Sequence, residues 1–522
     1  MKKTIENKNC KKCSINFEIT GEDLEFYKKV SPKFDWKVYE IPAPTLCSDC
    51  RQQRRLVFRN DRTLYNWISD NSWKRIISMF SPDKNYTIYE PEYWLSDEND
   101  FLTFWQNIEN KNSFFIQFKK LNNNIPKRNI IIWWWSENCE YVNWVWSSKD
   151  CYLIFNTWLA EKCYYSNNVN NSIYCVDCSF TQKSQNCFYC IDCQKCFDVF
   201  YWQNLENCSE SFYLKNCISC QNCFWCFNLS NKKYFIFNEE YSKEEYFNKI
   251  KELFKIYSLE KYNDFSKNMV VKSNIIERSE NVLWDKIKDS KNVKFSFEIN
   301  DCENIFYSVS CKMCKNCFLC EWLQNKQYCI LNKQYTKEEY NKLIPKIIEK
   351  MKVDWEWWEF FSANLSPFWY NETVAQEYFP LNKEEILKQN FNYSDYEPPF
   401  PKVEKIIPAE KLPKNIVDIP EDILNWAIEC EVSKKPFKII SQELEFYRKH
   451  NLPIPRKHPD IRHLERMRQR NPRKLFDRKC TRNVSGEVPL GYDECWKNIK
   501  ITYSSDREEI VICEDCYNKK IY

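Results

Sequence analysis

The chain has 522 residues, a net charge of +4 and 29 cysteines, with 21 tryptophans against three glycines. That length can bury more than one core, and a net charge this ordinary for the size says nothing about partners through whole-molecule electrostatics. The longest apolar run, residues 130–135, falls far short of the roughly 18 residues that a membrane span needs.

Histidine occurs only at 450, 458 and 463, which confines any imidazole acid–base chemistry to the C-terminal region. The opening Met-Lys-Lys-Thr-Ile-Glu-Asn-Lys carries no apolar signal-peptide core. Together with the many cysteines, this points to reduced thiols, metal binding and a cytoplasmic setting. Ordinary usage of roughly 7% glycine would give about 37 glycines. Tryptophan stands where glycine is expected: after Cys495 at Trp496, in Cys-Phe-Trp225-Cys, and in the run Trp133, Trp134, Trp135. The composition therefore predicts that UGA codons, read as glycine in the source organism, stand here as tryptophan. It also predicts that Trp225, Trp322 and Trp496 lie exposed or strained at tight turns.

In chain order, Cys10-Lys-Lys-Cys13 and Cys47-Ser-Asp-Cys50 form two CxxC pairs, a spacing that lets four thiolates converge on one tetrahedral Zn²⁺. Thr20 and Asp23 resemble a capping box ahead of a helix, and a second helix follows Cys50. A knuckle followed by a helix-borne pair reads as a treble clef over 1–65. Residues 66–128 read as a metal-free degenerate ribbon and linker region.

From 129 to 238 a Cys-rich repeat follows, with cysteines twelve residues apart at 139, 151, 163, 175 and 187. Grouped in pairs, these steps suggest units of 24, 24 and 21 residues and a parallel β-solenoid with inward cysteine ladders. Cys187, Cys190, Cys193 and Cys196 form CxxCxxCxxC, as do Cys217 to Cys226 and Cys311 to Cys320. An iron–sulfur or other metal cluster is the alternative, but the wider last gap and following proline of ferredoxin runs are missing. Residues 239–270 read as a helical insertion, 271–332 as a second solenoid segment, and 333–397 as a capping helix and packed loop. Cys217 to Tyr246 matches Cys311 to Tyr340, with Ser242 and Thr336 as helix N-caps and Glu245 and Glu339 completing capping boxes. Glu372 and Glu377 are expected in solvated or capping roles. Residues 398–425 read as a Pro-rich linker.

The C-terminal end repeats the beginning. Phe437 to Tyr447 matches Phe17 to Tyr27, placing Cys430, Ser433, His458 and Ile461 opposite Cys10, Cys13, Cys47 and Cys50. The copy at 426–476 is thus expected to be a degenerate treble clef without metal. Trp496 to Asp506 matches Trp73 to Asp83, so Ser72, Glu90 and Tyr93 oppose Cys495, Cys513 and Cys516. Here the later copy keeps the thiols: Cys480, Cys495, Cys513 and Cys516 form a zinc ribbon over 477–522. The fold class expected is mainly β with α, with treble-clef or ribbon modules at both ends and a central solenoid interrupted by helices. Two structural zinc ions are the cofactors implied.

Four signatures carry a resemblance: Pro-Thr-Leu-Cys47-Ser-Asp-Cys50-Arg-Gln-Gln-Arg-Arg, Asn325 to Tyr335, Tyr370 to Pro380, and Cys513-Glu-Asp-Cys516-Tyr. On them the chain resembles a family of multi-zinc-ribbon proteins from ultra-small uncultivated bacteria. The resemblance implies zinc binding and brings no activity with it. It also implies glycine at positions such as Trp225, Trp322, Trp358, Trp369 and Trp496.

Two function classes follow. One is a non-catalytic binding or scaffold protein, touching another protein or nucleic acid. Between Arg448 and Arg482 thirteen Lys/Arg stand against three acids. Arg466, Arg468, Arg470 and Arg473 there, with Arg51, Arg54, Arg55 and Arg59 after Cys50, are candidates for phosphate contact. The other class is an enzyme on the solenoid, such as a carbohydrate-active β-helix. The repeat offers Asn, Ser and Tyr without an ordered carboxylate pair, and saturated four-cysteine sites leave a metal no open position for catalysis.

Overall fold

The computed structural model describes residues 4–34, 37–96, 98–133, 135–256, 270–272, 287–288, 291–294, 299–397, 403–471, 476–480, 495, 497–504, 507, 509–513 and 516. The chain divides into two compact units, Met1–Ile130 with Arg278–Glu397 and Ile131–Glu277 with Pro398–Tyr522. Each contains a stretch of β-solenoid and at least one Cys-rich module. Among the described residues no helix is long and apolar enough to cross a membrane.

The solenoid is built on three-residue steps. From Trp135 to Phe237, and again from Asp301 to Leu331, every third residue has a left-handed backbone. Many of these are Asn or Asp, for example Asn138, Asp150, Asn156, Asn168 and Asp177, whose short polar side chains tolerate that conformation best after glycine. Along most of the ladder the residue after each left-handed one is buried, as at Val145, Cys175, Cys187 and Cys190. The resulting core is a file of small side chains, among them Val145, Ala160, Cys175, Cys187, Cys190 and Leu214. The parallel pairings have an offset of twelve, as in Asn143↔Phe155, Cys175↔Cys187 and Glu303↔Lys315. Four tripeptides therefore close one coil. The 24-residue unit suggested by the sequence corresponds to two coils, because alternate coils differ in side-chain detail while the backbone repeats at every turn.

In so narrow a core the thiols also serve the backbone. Cys190 Sγ–H donates to the Phe188 carbonyl two residues back and to the Val199 carbonyl nine residues ahead, both at 3.4 Å. Serine does the same at equivalent places: Ser166 Oγ donates to the Tyr164 carbonyl at 2.8 Å and accepts from Cys178 N at 3.0 Å. Carbonyls turned inward by the left-handed corners are thus satisfied within the core. The three CxxCxxCxxC runs each spread four thiols over four successive tripeptides of a coil.

Both solenoid segments stop the same way. An antiparallel hairpin ends the ladder, Lys233–Ile236 with Glu239–Glu240 and Gln327–Ile330 with Lys333–Gln334. Each has two left-handed turn residues, Phe237 and Asn238 or Leu331 and Asn332. Helices Lys243–Ile256 and Lys337–Val353 follow at once. Ser242 and Glu245 exchange hydrogen bonds across the first turn, as do Thr336 and Glu339. These are the capping boxes that the sequence predicts.

In the first unit the buried helix Phe114–Asn124 lies within residues expected to be partly linker; its Phe115 and Phe118 pack against Phe361. In the second unit, residues 403–425, also expected as linker, are folded: Ile406–Pro408 pairs with Ala427–Glu429, and Ala409, Leu412, Ile416 and Ile419 are buried. Pro408 and Pro420 there open short turns, Ala409–Lys411 and Glu421–Asn425, around apolar anchors.

Candidate metal centres

Two groups of four thiols converge. Cys10, Cys13, Cys47 and Cys50 have all four sulfurs within 4.8 Å of one another, as do Cys480, Cys495, Cys513 and Cys516. All eight cysteines expected as zinc ligands are in these two clusters, including the irregularly spaced Cys480, and none of the cysteines of the CxxCxxCxxC runs is. The two four-cysteine groups fit zinc-ribbon modules and could each hold a metal ion.

In the first, the antiparallel strands Thr4–Asn9 and Asn16–Thr20 deliver Cys10 and Cys13 through a tight knuckle. Ser14 closes it with a left-handed φ of 60° and a bond from its N to the Cys10 carbonyl at 2.9 Å. Cys47 is the N-cap of helix Ser48–Leu56, and Cys50 lies in its first turn. There the helix dipole and free N–H groups favour negative charge. Cys47 N donates to Cys10 Sγ at 3.3 Å, and Cys13 Sγ lies 3.7 Å from Cys47 Sγ. Burial works against ionisation of Cys10, but backbone N–H groups of Cys13, Cys47 and Lys12 outweigh it and bring the thiol down to about 6. Cys50 goes the other way, pushed up by burial and by the neighbouring sulfurs. One thiolate forms readily while its neighbours resist a second and third negative charge. A divalent cation is what lets all four ionise together.

The second centre has the same design. Phe476–Lys479 pairs with Asn498–Ile501, and Ile510–Ile512 leads directly into Cys513. Cys513 N donates to Cys480 Sγ at 3.3 Å, and Cys495 lies 3.8 Å from Cys513. The N–H of Lys497 lowers the Cys495 thiol, while burial raises Cys516 to about 12.

The degenerate copies retain the backbone and exchange the ligands. Cys430 Sγ accepts from Ser433 N at 3.4 Å, and His458 Nδ1 accepts from Asp460 N at 3.2 Å, capping helix Pro459–Gln469. In the N-terminal ribbon copy, Ser69 Oγ bonds to the Glu90 carboxylate and accepts from Asn71 N and Ser72 N. Hydrogen bonds hold these two loops where four cysteine sulfurs converge in the others.

The candidate phosphate-binding arginines are in large part committed inside their own units. On helix Pro459–Gln469, Arg462 and Arg466 are buried and both bind Asp177. Arg466 also reaches the Tyr165 carbonyl at 3.0 Å. Arg470 grips Asp192 with two bonds of 2.8 and 2.9 Å and covers Phe180 at 3.6 Å. Arg54 pairs with Glu359 at 2.8 Å, and Arg59 with Asp61 at 2.9 Å. Arg51 approaches the Tyr27 hydroxyl, Arg55 is half-buried, Arg468 is exposed, and Arg473 lies outside the described residues. Sequence reasoning missed Asp177 and Asp192 because they look like any other turn residue of the repeat.

Glu372 is buried rather than solvated: it accepts from Tyr65 Oη at 2.6 Å and caps Trp369 N at 2.9 Å. Burial raises its carboxyl to about 7. Among the tryptophans expected at tight turns, Trp225 and Trp322 are both left-handed. Trp225 is nevertheless buried, continuing a ring ladder with Tyr213 and Phe237. Trp496 lies outside the described residues. The chain matches no protein-family model, no curated protein and no solved structure.

Proposed function

We propose that the protein is a zinc-stabilised, non-catalytic scaffold. One Zn²⁺ sits in a treble-clef module on Cys10, Cys13, Cys47 and Cys50, and another in a ribbon on Cys480, Cys495, Cys513 and Cys516. The observation that carries this reading is the convergence of two all-cysteine groups with sulfurs inside 4.8 Å. Four thiolates suit Zn²⁺ and saturate its tetrahedron, leaving no position for a substrate. The role of each ion is to fix a knuckle against a helix or strand that would otherwise be too small to hold its own fold. Nucleic-acid contact is the weaker reading, since Arg54, Arg59, Arg462, Arg466 and Arg470 already have carboxylate partners.

Elemental analysis of protein purified without added metal tests this reading. Two zinc ions per chain are expected, falling to one in Cys13→Ser and one in Cys495→Ser. Iron in place of zinc, or a metal content unchanged by both substitutions, overturns it.

A further inference from the structure

Outside the two tripeptide ladders (135–237 and 301–331), nine described residues have a left-handed backbone. Four of them are asparagine, the residue that best tolerates this conformation after glycine. Three are tryptophan: Trp73, Trp355 and Trp358. A bulky side chain there is a conformational outlier, and two of the three occupy sites whose counterparts in this same chain show what the backbone requires.

Trp355 ends helix Lys337–Val353. Its φ is 59°, and Glu356 N reaches back to the Met351 carbonyl at 2.8 Å. Helix Lys383–Lys388 ends with Asn390 at φ 57° and Phe391 N bonded to the Ile386 carbonyl at 3.0 Å. Helix Ser441–Lys449 ends with Asn451 at φ 51° and Leu452 N bonded to the Tyr447 carbonyl at 2.8 Å. These are three copies of one left-handed helix stop, which selects glycine and then asparagine. Tryptophan fills the third.

Trp73 lies in the knuckle that recurs through the terminal modules. Ser14 N, Lys434 N and Trp73 N each bond to the carbonyl four residues back, at 2.9, 3.1 and 3.0 Å. All three residues are left-handed, with φ of 60°, 57° and 60°. Trp358 has a φ of 72°, the largest of the left-handed set. Packing offers the first two little in return: Trp73 is 79% exposed and Trp355 78% exposed. Trp94 is the contrast, 2% exposed at the end of a right-handed helical turn, with its indole N–H on the Pro126 carbonyl at 3.4 Å.

We infer that Trp73, Trp355 and Trp358 are glycines in the protein made by its own cell, each specified by a UGA codon. UGA is the one codon that different genetic codes read as tryptophan or as glycine. That accounts for the shortage of one residue and the excess of the other together. Left-handed tryptophans within the ladders are not part of the inference, since tyrosine, leucine and lysine share that phase.

The test is peptide mass spectrometry on the protein isolated from its natural source, with the codons read alongside. Glycine at 73, 355 and 358 with UGA codons, and tryptophan at 94 with UGG, is the expected result. Tryptophan in any of the first three native peptides overturns the inference. Independently, Trp355→Gly should raise the melting temperature of the chain as written here by about 2–4 °C, while Trp94→Gly lowers it. A lower melting temperature for Trp355→Gly overturns the conformational argument.

Discussion

The modules around Cys10–Cys50 and Cys430–Ile461 share a sequence pattern, a knuckle and a helix entry, yet they are held by different forces. In the first, four sulfurs meet between knuckle and helix. In the second, the cysteine and histidine that remain make local bonds to Ser433 N and Asp460 N. Its helix is fixed instead from the other side, by Arg462, Arg466 and Arg470 on carboxylates of the solenoid. The first module has a weaker version of this grip, a half-buried Arg54–Glu359 pair. A cation held by the four sulfurs at the base would solve the same problem of orienting a short helix that a row of guanidiniums solves along the flank. A module that has the second can dispense with the first.

That contrast can be broken most forcefully at the metal. Chelation, or Cys47→Ser, should abolish hydrogen-exchange protection in helix Ser48–Leu56, since structural zinc is worth on the order of 10 kcal/mol to so small a module. Protection in helix Pro459–Gln469 should survive. Next in size, Asp177→Ala removes the carboxylate shared by two buried guanidiniums, leaving Arg462 with Glu443 and Arg466 with the Tyr165 carbonyl, and should cost about 3–5 kcal/mol. Denaturant unfolding followed through the second unit measures this. Glu359→Ala, the matching change in the first module, should cost only about 1 kcal/mol, because Arg54 and Glu359 are partly exposed where Arg466 and Asp177 are fully buried. The difference can also be reversed. Ser433→Cys with His458→Cys and Ile461→Cys restores four thiols to a backbone that already has the right turns. Elemental analysis should then find one further ion per chain. The smallest effect is expected in the ladder, where Cys190→Ser should stay within about 1 kcal/mol of the parent because serine already makes the same bonds at Ser166. Cys190→Leu should cost more, through overpacking.

Both four-cysteine groups were legible in the sequence because ligand chemistry imposes spacing, and CxxC survives as a pattern whatever lies between. Solenoid and capping boxes were legible for a similar reason: duplication writes them twice; the antiparallel hairpins just before those helices were not foreseen. The tripeptide phase was harder to see. Its left-handed corners take Tyr165, Leu153 and Lys162 as readily as Asn156, so residue type alone does not mark them. The destination of the arginines was invisible. A basic helix looks the same whether it faces a phosphate or an aspartate, and Arg466 meets its partner across 289 residues of sequence. Residues 403–425 misled because prolines that stop regular structure also suit short anchored turns.

The twelve-residue coil makes the solenoid a ruler with discrete graduations. Inserting one or two residues rotates polar side chains into the thiol file and lifts apolar ones out of it. Inserting twelve adds one complete turn and leaves every other rung in place. Length along the axis can therefore change only in steps of about 4.8 Å, the spacing between hydrogen-bonded strands. The two hairpin-and-helix stops set where each count ends. Copying a short stretch of gene is enough to move whatever sits beyond such a stop by one notch, with no redesign of the core.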